Sequence, residues 1–209
     1  MSNLPERFSS QATAHTDGLG SADFISLNKS FVINGSGGVI GKDVGVSDSY
    51  QFVSYEVEGN ATIVARLVNF DMSQAQYGQA GVFIREDVES EASSYFGVYV
   101  EPSKNQYRYA YRDTTKGTTG AAAISDLNAE SKGKYIKLEK TGSSYRYYIA
   151  EDVNFTKIIA EGGQTVTTES DSWYVGFVVS NGGSAASASA VFDNVTIQDG
   201  SGKIYETNP

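Results

Sequence analysis

Residues 77–112, YGQAGVFIREDVESEASSYFGVYVEPSKNQYRYAYR, decide the fold class because they contain three short runs in which apolar and polar side chains alternate. Side chains alternate between the two faces of a β-strand, so this period predicts strands that bury one face. We place these strands at 81–86, 95–101 and 107–112. The stretch also holds six of the chain's fourteen tyrosines.

The strand pattern continues on both sides of this stretch. Residues 121–130, AAAISDLNAE, are the one segment that predicts a short helical turn. About ten to thirteen strands separated by turn signals, without a full-length amphipathic helix, indicate an all-β, two-sheet antiparallel β-sandwich of the jelly-roll type. The longest of the further strands are predicted at 50–57, 61–70, 134–140, 144–151, 173–180 and 191–198, and shorter pieces lie at 24–27, 31–33 and 156–161.

The chain is expected to form one domain. We assign the β-sandwich to residues 31–198, with a polar lead-in over 1–30 that contains at most one edge strand and a polar tail over 199–209. A chain of 209 residues can bury a sizeable core, so it needs neither a metal nor a disulfide merely to fold.

Charge and hydropathy exclude several classes of partner. The formal net charge of −9 argues against binding to nucleic acid or to an anionic membrane, since phosphate recognition requires a cationic surface. No apolar run approaches the ~20 residues of a membrane-spanning helix. The amino-terminal residues lack the apolar segment of a signal peptide, so an exported protein would have lost its signal upstream of Met1.

Alternation also assigns side chains to the two faces of the sheet. Val82 and Ile84 share a purely apolar face, which must be the core, because an unpaired charge there would cost several kcal/mol. In 107–112 the same argument favours arginines outside and tyrosines inside, and the reverse orientation is the alternative. The outer face then carries Arg66, Phe83, Arg85, Tyr95, Tyr99, Glu101, Arg108 and Arg112.

These outward residues form the candidate ligand site. The planar guanidinium of arginine matches carboxylates, and aromatic rings offer flat apolar faces to a ligand. The alternative is a solvated face in which arginines pair across strands with Glu86, Glu101 and Asp113. The site residues we predict are Arg66, Arg85, Tyr95, Tyr99, Glu101, Arg108 and Arg112.

The sequence does not predict catalysis. Glycosidases need two carboxylates that flank the scissile bond, and the acidic cluster at 86–91 has the character of a solvated charge run at the end of a strand. The single histidine, His15, lies in the lead-in, and the chain has no cysteine, so neither a catalytic triad nor a thiol nucleophile can be built. We therefore expect a protein that is not an enzyme.

Asp193 is the one candidate metal ligand. It shares strand parity with Val191, Val195 and Ile197, which predicts that it points inward. An inward carboxylate needs a partner, either the backbone N–H groups of a loop or a structural Ca²⁺. No cofactor is required by any other feature of the sequence.

Several motifs together resemble a known family. The segments DSYQFVSYEVEGNATIVARLVN, YGQAGVFIRED, YRYAYRDTTKG, SYRYYIAEDVNFTKI and WYVGFVVSNGGSAASASAVFDNVTI occur in the order seen in that family. Residues 31–198 thus resemble the concanavalin A-like (laminin G-like) modules of secreted bacterial polysaccharide-degrading proteins. These include a group of domains of unknown function related to a "regulation of enolase" protein. Family members commonly have tryptophan where this chain has Tyr77 and Phe155.

The resemblance implies a function, which we state as an expectation. It implies a non-catalytic carbohydrate-binding module of a secreted or cell-surface bacterial protein, monomeric by itself and part of a larger chain. The ligand would be a polysaccharide or oligosaccharide, and the arginines favour an acidic one. The alternatives are a structural or adhesion module that packs against a neighbouring domain, and a polysaccharide lyase or glycoside hydrolase.

Overall fold

The structure is a computed structural model, which describes residues 3–13, 20–41, 49–71, 77–90, 92–114, 117–124, 134–167 and 170–207. No helix within them is long and apolar enough to cross a membrane. They form one turn of 3-10 helix (Pro102–Lys104) and fifteen β-strands: β1 (Phe8–Thr13), β2 (Ser21–Ile25), β3 (Ser30–Gly35), β4 (Tyr50–Glu58), β5 (Ala61–Asp71), β6 (Gln79–Arg85), β7 (Tyr95–Glu101), β8 (Gln106–Arg112), β9 (Thr119–Ala123), β10 (Tyr135–Thr141), β11 (Ser144–Ala150), β12 (Ile158–Thr165), β13 (Ser172–Ser180), β14 (Ala188–Asp199) and β15 (Gly202–Glu206).

The strands form two antiparallel sheets. The first has seven strands in the order β1-β4-β13-β6-β7-β8-β9, so the three strands of the stretch 77–112 are neighbours in it. The second has eight strands in the order β12-β11-β10-β5-β14-β3-β2, with β15 paired to β14. The prediction of an all-β, two-sheet antiparallel sandwich is confirmed.

The core lies between the two sheets. Val82, Ile84, Phe96 and Val98 are fully buried in it, as the alternation predicts. Aromatic rings connect the sheets: Phe177 of β13 stacks on Phe192 of β14, with ring centroids 4.6 Å apart. The alternating strands of 77–112 therefore supply one wall of the core.

The orientation of 107–112 follows the cost of burying charge. Tyr107 is buried in the inter-sheet core, and Tyr109 and Tyr111 pack against the same cluster. Tyr109 lies near Tyr147 of the opposite sheet, with ring centroids 5.8 Å apart. The tyrosines thus point inward, and the arginines of β8 lie on the opposite face, as predicted.

A β-bulge in β14 overturns the predicted orientation of Asp193. The register with β5 shifts between Asp193 and Thr196, and Asn194 has a left-handed backbone with φ of 50°. Asparagine tolerates this conformation better than most residues. Val195 and Ile197 lie in the core, whereas Asp193, on the other side of the bulge, has the opposite parity and points outward.

Both ends of the chain contribute strands. Residues 1–30, where we predicted at most one edge strand, contain β1 and β2, and each is the edge strand of a sheet. The tail contains β15. The predicted helical turn over 121–130 is wrong for 121–123, which belong to β9, and residues 125–130 lie outside the described residues.

Candidate functional site

The outer face of the seven-stranded sheet is covered rather than open. A second apolar cluster lies on it, where Ile40 and Val88 from two loop segments pack on residues of the sheet. The ligand site that we predicted requires exposed side chains. Five of its residues are at most 5% exposed, namely Arg85, Tyr95, Tyr99, Glu101 and Arg112. The predicted face is therefore correct for these five side chains, but their predicted exposure is wrong.

In the loop between β6 and β7, Arg85 and Arg112 hold residues 86–90 and 92–94 against this face. Arg85 donates from Nε to the carbonyl of Asp87 over 2.6 Å, from Nη2 to the carbonyl of Ser90, and from Nη1 to the hydroxyl of Tyr50 over 2.5 Å. Arg112 donates from Nη1 to the carbonyl of Ser93 over 3.0 Å. Both arginines are occupied with main-chain carbonyls, so they do not present a ligand-binding surface.

Tyr95 lies between these two arginines. The guanidinium carbons of Arg112 and Arg85 are 5.1 Å and 5.9 Å from the centre of its ring. The ring also stacks on Phe83, with centroids 5.2 Å apart. Gly97 leaves the space for Phe83, since a Cβ at that position would be 2.1 Å from the Phe83 ring. Tyr95 is thus part of the packing under the loop and is not available to a sugar.

Arg66 belongs to the other sheet. It lies in β5, and its guanidinium forms a bidentate ion pair with Asp193, with distances of 2.7 Å from Nε to Oδ1 and 2.5 Å from Nη2 to Oδ2. This contact raises the pKa of Arg66. The prediction that Arg66 joins Arg85, Arg108 and Arg112 on one face is wrong, because the strand order separates them.

The partner of Asp193 is therefore an arginine of the neighbouring strand. Within the described residues, no group of three or more His, Cys, Asp or Glu side chains is arranged to hold a metal ion. The ion pair accounts for both oxygens of this carboxylate. The alternative of a structural Ca²⁺ stays a prediction.

A cleft of about 700 Å³ opens beside the covered part of the face. Three of the predicted site residues line it, namely Tyr99, Glu101 and Arg108. The 3-10 turn contributes Ser103 and Lys104. The remaining lining residues are Val39, Ile40, Gly41, Tyr77 and Gly182.

The polar side chains of the cleft form one connected network. The Glu101 carboxylate lies between two cations, with Lys104 Nζ 3.0 Å from Oε1 and Arg108 Nε 3.3 Å from Oε2. Arg108 also donates from Nε to the Tyr99 hydroxyl over 3.3 Å and from Nη1 to Gln106 Oε1 over 3.1 Å. Tyr99 donates in turn to the carbonyl of Ile40 over 3.3 Å.

Backbone contacts fix the rim of the cleft. Ser180 donates to the carbonyl of Gly38, and Gly37 donates to Asn181 Oδ1 over 2.9 Å. Gly41 has φ of +71°, and a Cβ there would be 2.8 Å from the Tyr99 hydroxyl, so only glycine lets this segment approach so closely. These contacts hold the segment 37–41 as a wall of the cleft.

Tyr77 is the aromatic residue that the sequence interpretation did not place in the site. Tyr77 is 51% exposed where it lines the cleft, whereas Tyr99, which lines the same cleft, is 1% exposed. The available signal was the resemblance, in which tryptophan commonly takes the position of Tyr77. Lys104 was missed because it follows the end of β7, where alternation no longer assigns a direction.

Burial keeps the deeper tyrosines protonated. Desolvation raises the pKa of Tyr99 to about 12, although the nearby Arg108 opposes the shift, and it raises the pKa of Tyr205 to about 12. Desolvation also raises the pKa of Tyr107. Unperturbed tyrosine titrates near pH ~10.

Alkaline pH is expected to destabilise the protein through these tyrosines. Because their folded-state pKa values are raised, the stability they contribute is complete below pH ~10 and is lost as the pH rises towards about 12. Urea unfolding across this range measures the loss, and Tyr99→Phe should reduce it by on the order of 2 kcal/mol. Ultraviolet titration showing every tyrosine of the native protein ionising together near pH ~10 would contradict the prediction.

Comparison with known proteins identifies the fold. No protein-family model matches the chain, and no curated protein matches it. A functionally unknown protein from Saccharomyces cerevisiae aligns with a TM-score of 0.68 and 12% identity over 92% of this chain and 96% of that one. The legume lectin-like domain from Entamoeba histolytica aligns with a TM-score of 0.56 and 11% identity over 92% and 90%. The chain has a concanavalin A-like fold.

This chain also aligns with one part of a longer phage protein. The enzymatically active domain of tailspike protein 2 of bacteriophage CBA120 aligns with a TM-score of 0.51 and 13% identity. The match covers 98% of this chain and 30% of the tailspike chain. At these identities the matches describe the concanavalin A-like backbone, and the finer family suggested by the sequence motifs stays a prediction.

The structure describes some of the side chains that we considered for catalysis, which are the acidic cluster at 86–91 and His15. Asp87 Oδ1 accepts hydrogen bonds from the backbone N–H groups of Glu89 and Ser90, which makes it part of the loop's own turn. His15 and Glu91 lie outside the described residues. The expectation that the protein is not an enzyme stays a prediction.

Proposed function

We propose that the protein is a non-catalytic saccharide-binding module, exported from a bacterial cell and joined to a larger chain. The observation that carries this proposal is the cleft, in which an exposed tyrosine ring lies at the rim of a polar network. Ligand pockets typically combine apolar or aromatic walls with a few fixed polar groups, and this combination suits a sugar ring with its hydroxyl groups. The lectin-like domain among the structural neighbours supports the same function.

The arrangement assigns a role to each part of the cleft. The ring of Tyr77 stacks against the apolar face of a sugar. Arg108, Lys104 and Glu101 hydrogen-bond its hydroxyl or acidic groups. Because Tyr99 is buried and bonded to both Arg108 and Ile40, it holds the guanidinium in place rather than touching the ligand.

Replacing Tyr77 with alanine should weaken saccharide binding about 30-fold. The truncation of a central aromatic contact typically costs ~2 kcal/mol, which corresponds to this factor. Affinity electrophoresis against neutral and acidic polysaccharides, followed by calorimetry with the best oligosaccharide, measures the change. The assays are run with calcium and with a chelator, so that a dependence on the ion is seen.

Two control variants separate stacking from other effects. Tyr77→Phe keeps the ring and should bind within about 3-fold of the unchanged protein, since less than ~1 kcal/mol is lost. Tyr148→Ala removes a ring from the outer face of the eight-stranded sheet and should leave binding unchanged. No retention on any polysaccharide, or full binding by Tyr77→Ala, would reject this cleft as a saccharide site.

The second candidate is an adhesion or packing module, and one surface favours it. Ile25, the last residue of the edge strand β2, is 42% exposed, and Leu27 in the turn that follows is 97% exposed. Such apolar side chains could contact a neighbouring domain of a longer chain. If the module served only packing, Tyr77→Ala would change nothing that a saccharide assay measures.

A further inference from the structure

The cleft differs in charge from other clefts of the protein. One of these is lined by Glu86, Asp87 and Glu89, and another by Glu58, Asp171 and Asp199. Neither has a lysine or arginine among its described lining residues. Among the described lining residues of the cleft beside Tyr77 are two cations, Lys104 and Arg108, and one carboxylate, Glu101, and together these three carry one net positive charge.

The cationic side chains of this cleft have unused hydrogen-bond donors. Each oxygen of Glu101 lies within ion-pair distance of one cation, with Lys104 Nζ at Oε1 and Arg108 Nε at Oε2. Among the described residues, Arg108 Nη2 has no hydrogen-bond partner, and Lys104 Nζ contacts only Glu101. A guanidinium carries five N–H donors and an ammonium three, and neither accepts hydrogen bonds.

Burial makes these donors selective. The Glu101 side chain is 6% exposed and the Arg108 side chain 18% exposed, so the ion pair is fixed at the floor of the cleft, whereas Lys104 is 55% exposed at its edge. A partly desolvated guanidinium binds anions more strongly than a surface one, because water competes less for its N–H groups.

From this excess of donors and charge, we infer that the ligand is an anionic saccharide whose bound sugar carries a single negative charge, either a uronate or a sulfate ester. The inference rests on the proposed function and specifies its ligand class. The anionic group occupies the donors of Arg108 and Lys104, and the sugar ring to which it is attached lies against Tyr77. In a protein of net charge −9, this local positive charge also offsets the general repulsion of a polyanion.

Pairs of polymers that differ only in charge test the inference. Polygalacturonate is compared with its methyl ester, alginate with its ester, and a sulfated galactan with its desulfated form, beside the neutral polymers xylan, mannan and β-glucan. We expect at least one acidic form to bind about 10-fold more tightly than its neutral partner, with an affinity that falls as salt is added. Preference within the uronate pairs or within the sulfate pair identifies the source of the charge.

Charge-removing variants locate the preference in the cleft. Arg108→Gln and Lys104→Gln should each reduce binding of the acidic form about 10-fold and binding of its neutral partner by a smaller factor, because only the acidic form loses a charge-assisted contact. Lys137→Gln and Arg146→Gln, on the outer face of the other sheet, are the matched controls and should bind like the unchanged protein. Thermal melting shows that each variant is folded.

Two failures are distinguishable. If neutral and acidic forms bind equally and Tyr77→Ala abolishes both, the proposed function stands and the inference about charge is overturned. If none of the acidic or neutral polymers binds, both are overturned. An acidic preference that persists unchanged in Arg108→Gln and Lys104→Gln would also overturn the inference, since the charge would be recognised elsewhere.

Discussion

Replacing Arg85 with alanine should lower the free energy of unfolding by about 3–5 kcal/mol, one of the two largest effects we expect from a single substitution in this protein. The guanidinium is fully buried and donates to the hydroxyl of Tyr50 and to the carbonyls of Asp87 and Ser90. Its removal leaves the buried Tyr50 hydroxyl and two partly buried carbonyls without these donors, and it leaves a cavity beside the Tyr95 ring. Each buried polar group that loses its partner costs about 1–3 kcal/mol.

Urea unfolding followed by circular dichroism measures this effect. Arg146→Ala is the matched control, because Arg146 lies on the other sheet with its side chain 52% exposed and should cost less than about 0.5 kcal/mol. Proteolysis should also cleave the segment 86–94 faster in Arg85→Ala, since the arginine holds this segment by its carbonyls. If the free energy of unfolding fell by less than about 1 kcal/mol, the buried guanidinium would not be what holds the loop on the sheet.

Phe177→Ala should destabilise the protein by a similar amount, about 3–5 kcal/mol. Phe177 is fully buried on β13 and stacks on Phe192 of the opposite sheet, while Phe31 lies 5.1 Å away between centroids. The substitution removes a ring that both sheets contact, and the close-packed strands cannot collapse into the space.

The same unfolding assay tests this second prediction. Leu27→Ala is the control, because Leu27 is 97% exposed and its truncation should change stability by less than about 0.5 kcal/mol. Phe177→Leu retains much of the volume and should recover part of the loss. If Phe177→Ala and Leu27→Ala cost the same, the contact between the sheets is not the main source of stability.

Alternation within strands predicted the core because it depends only on local geometry. Val82, Ile84, Phe96 and Val98 are buried as expected, since a strand that buries one face must place every second side chain there. The cost of burying charge also predicted the orientation of a strand correctly. It placed the tyrosines of 107–112 inside and Arg108 and Arg112 on the opposite face, although the pattern alone allowed both orientations.

The burial of the outer face could not be predicted in this way. Alternation separates the two faces of a sheet, but it does not show what covers each of them. Ile40 reaches the face through hydrogen bonds between its segment and Tyr99 and Ser180, which are distant in sequence. Alternation alone therefore predicts that a polar side chain of the outer parity is exposed, whereas Arg85 is buried against loop carbonyls.

Non-local strand order explains the remaining errors of orientation. Arg66 and Arg85 lie in strands β5 and β6, which follow one another in the chain but belong to different sheets. Asp193 turned outward because a single left-handed residue, Asn194, interrupts the alternation of β14. Asparagine in a strand is a weak indication of a bulge, and only the pairing with β5 shows it.

The candidate site combines predicted and unpredicted parts. Tyr99, Glu101 and Arg108 were expected on the outer face and do line the cleft. Tyr77 and Lys104 lie just outside the regular strands, where side-chain direction depends on loop geometry. The residues that complete the site are therefore those for which a periodic pattern contains no information.

The manner in which the segment 86–94 is attached has a consequence for how such a protein can change. Arg85 and Arg112 donate hydrogen bonds to main-chain carbonyls, and every amino acid has a main-chain carbonyl whatever its side chain. An outward side chain such as Glu89 can then be exchanged without loosening the attachment. We therefore expect the outward side chains of this loop to vary while the β-sandwich below it stays unchanged. Proteins with this sandwich could then acquire new binding specificities, by evolution or by selection from a library.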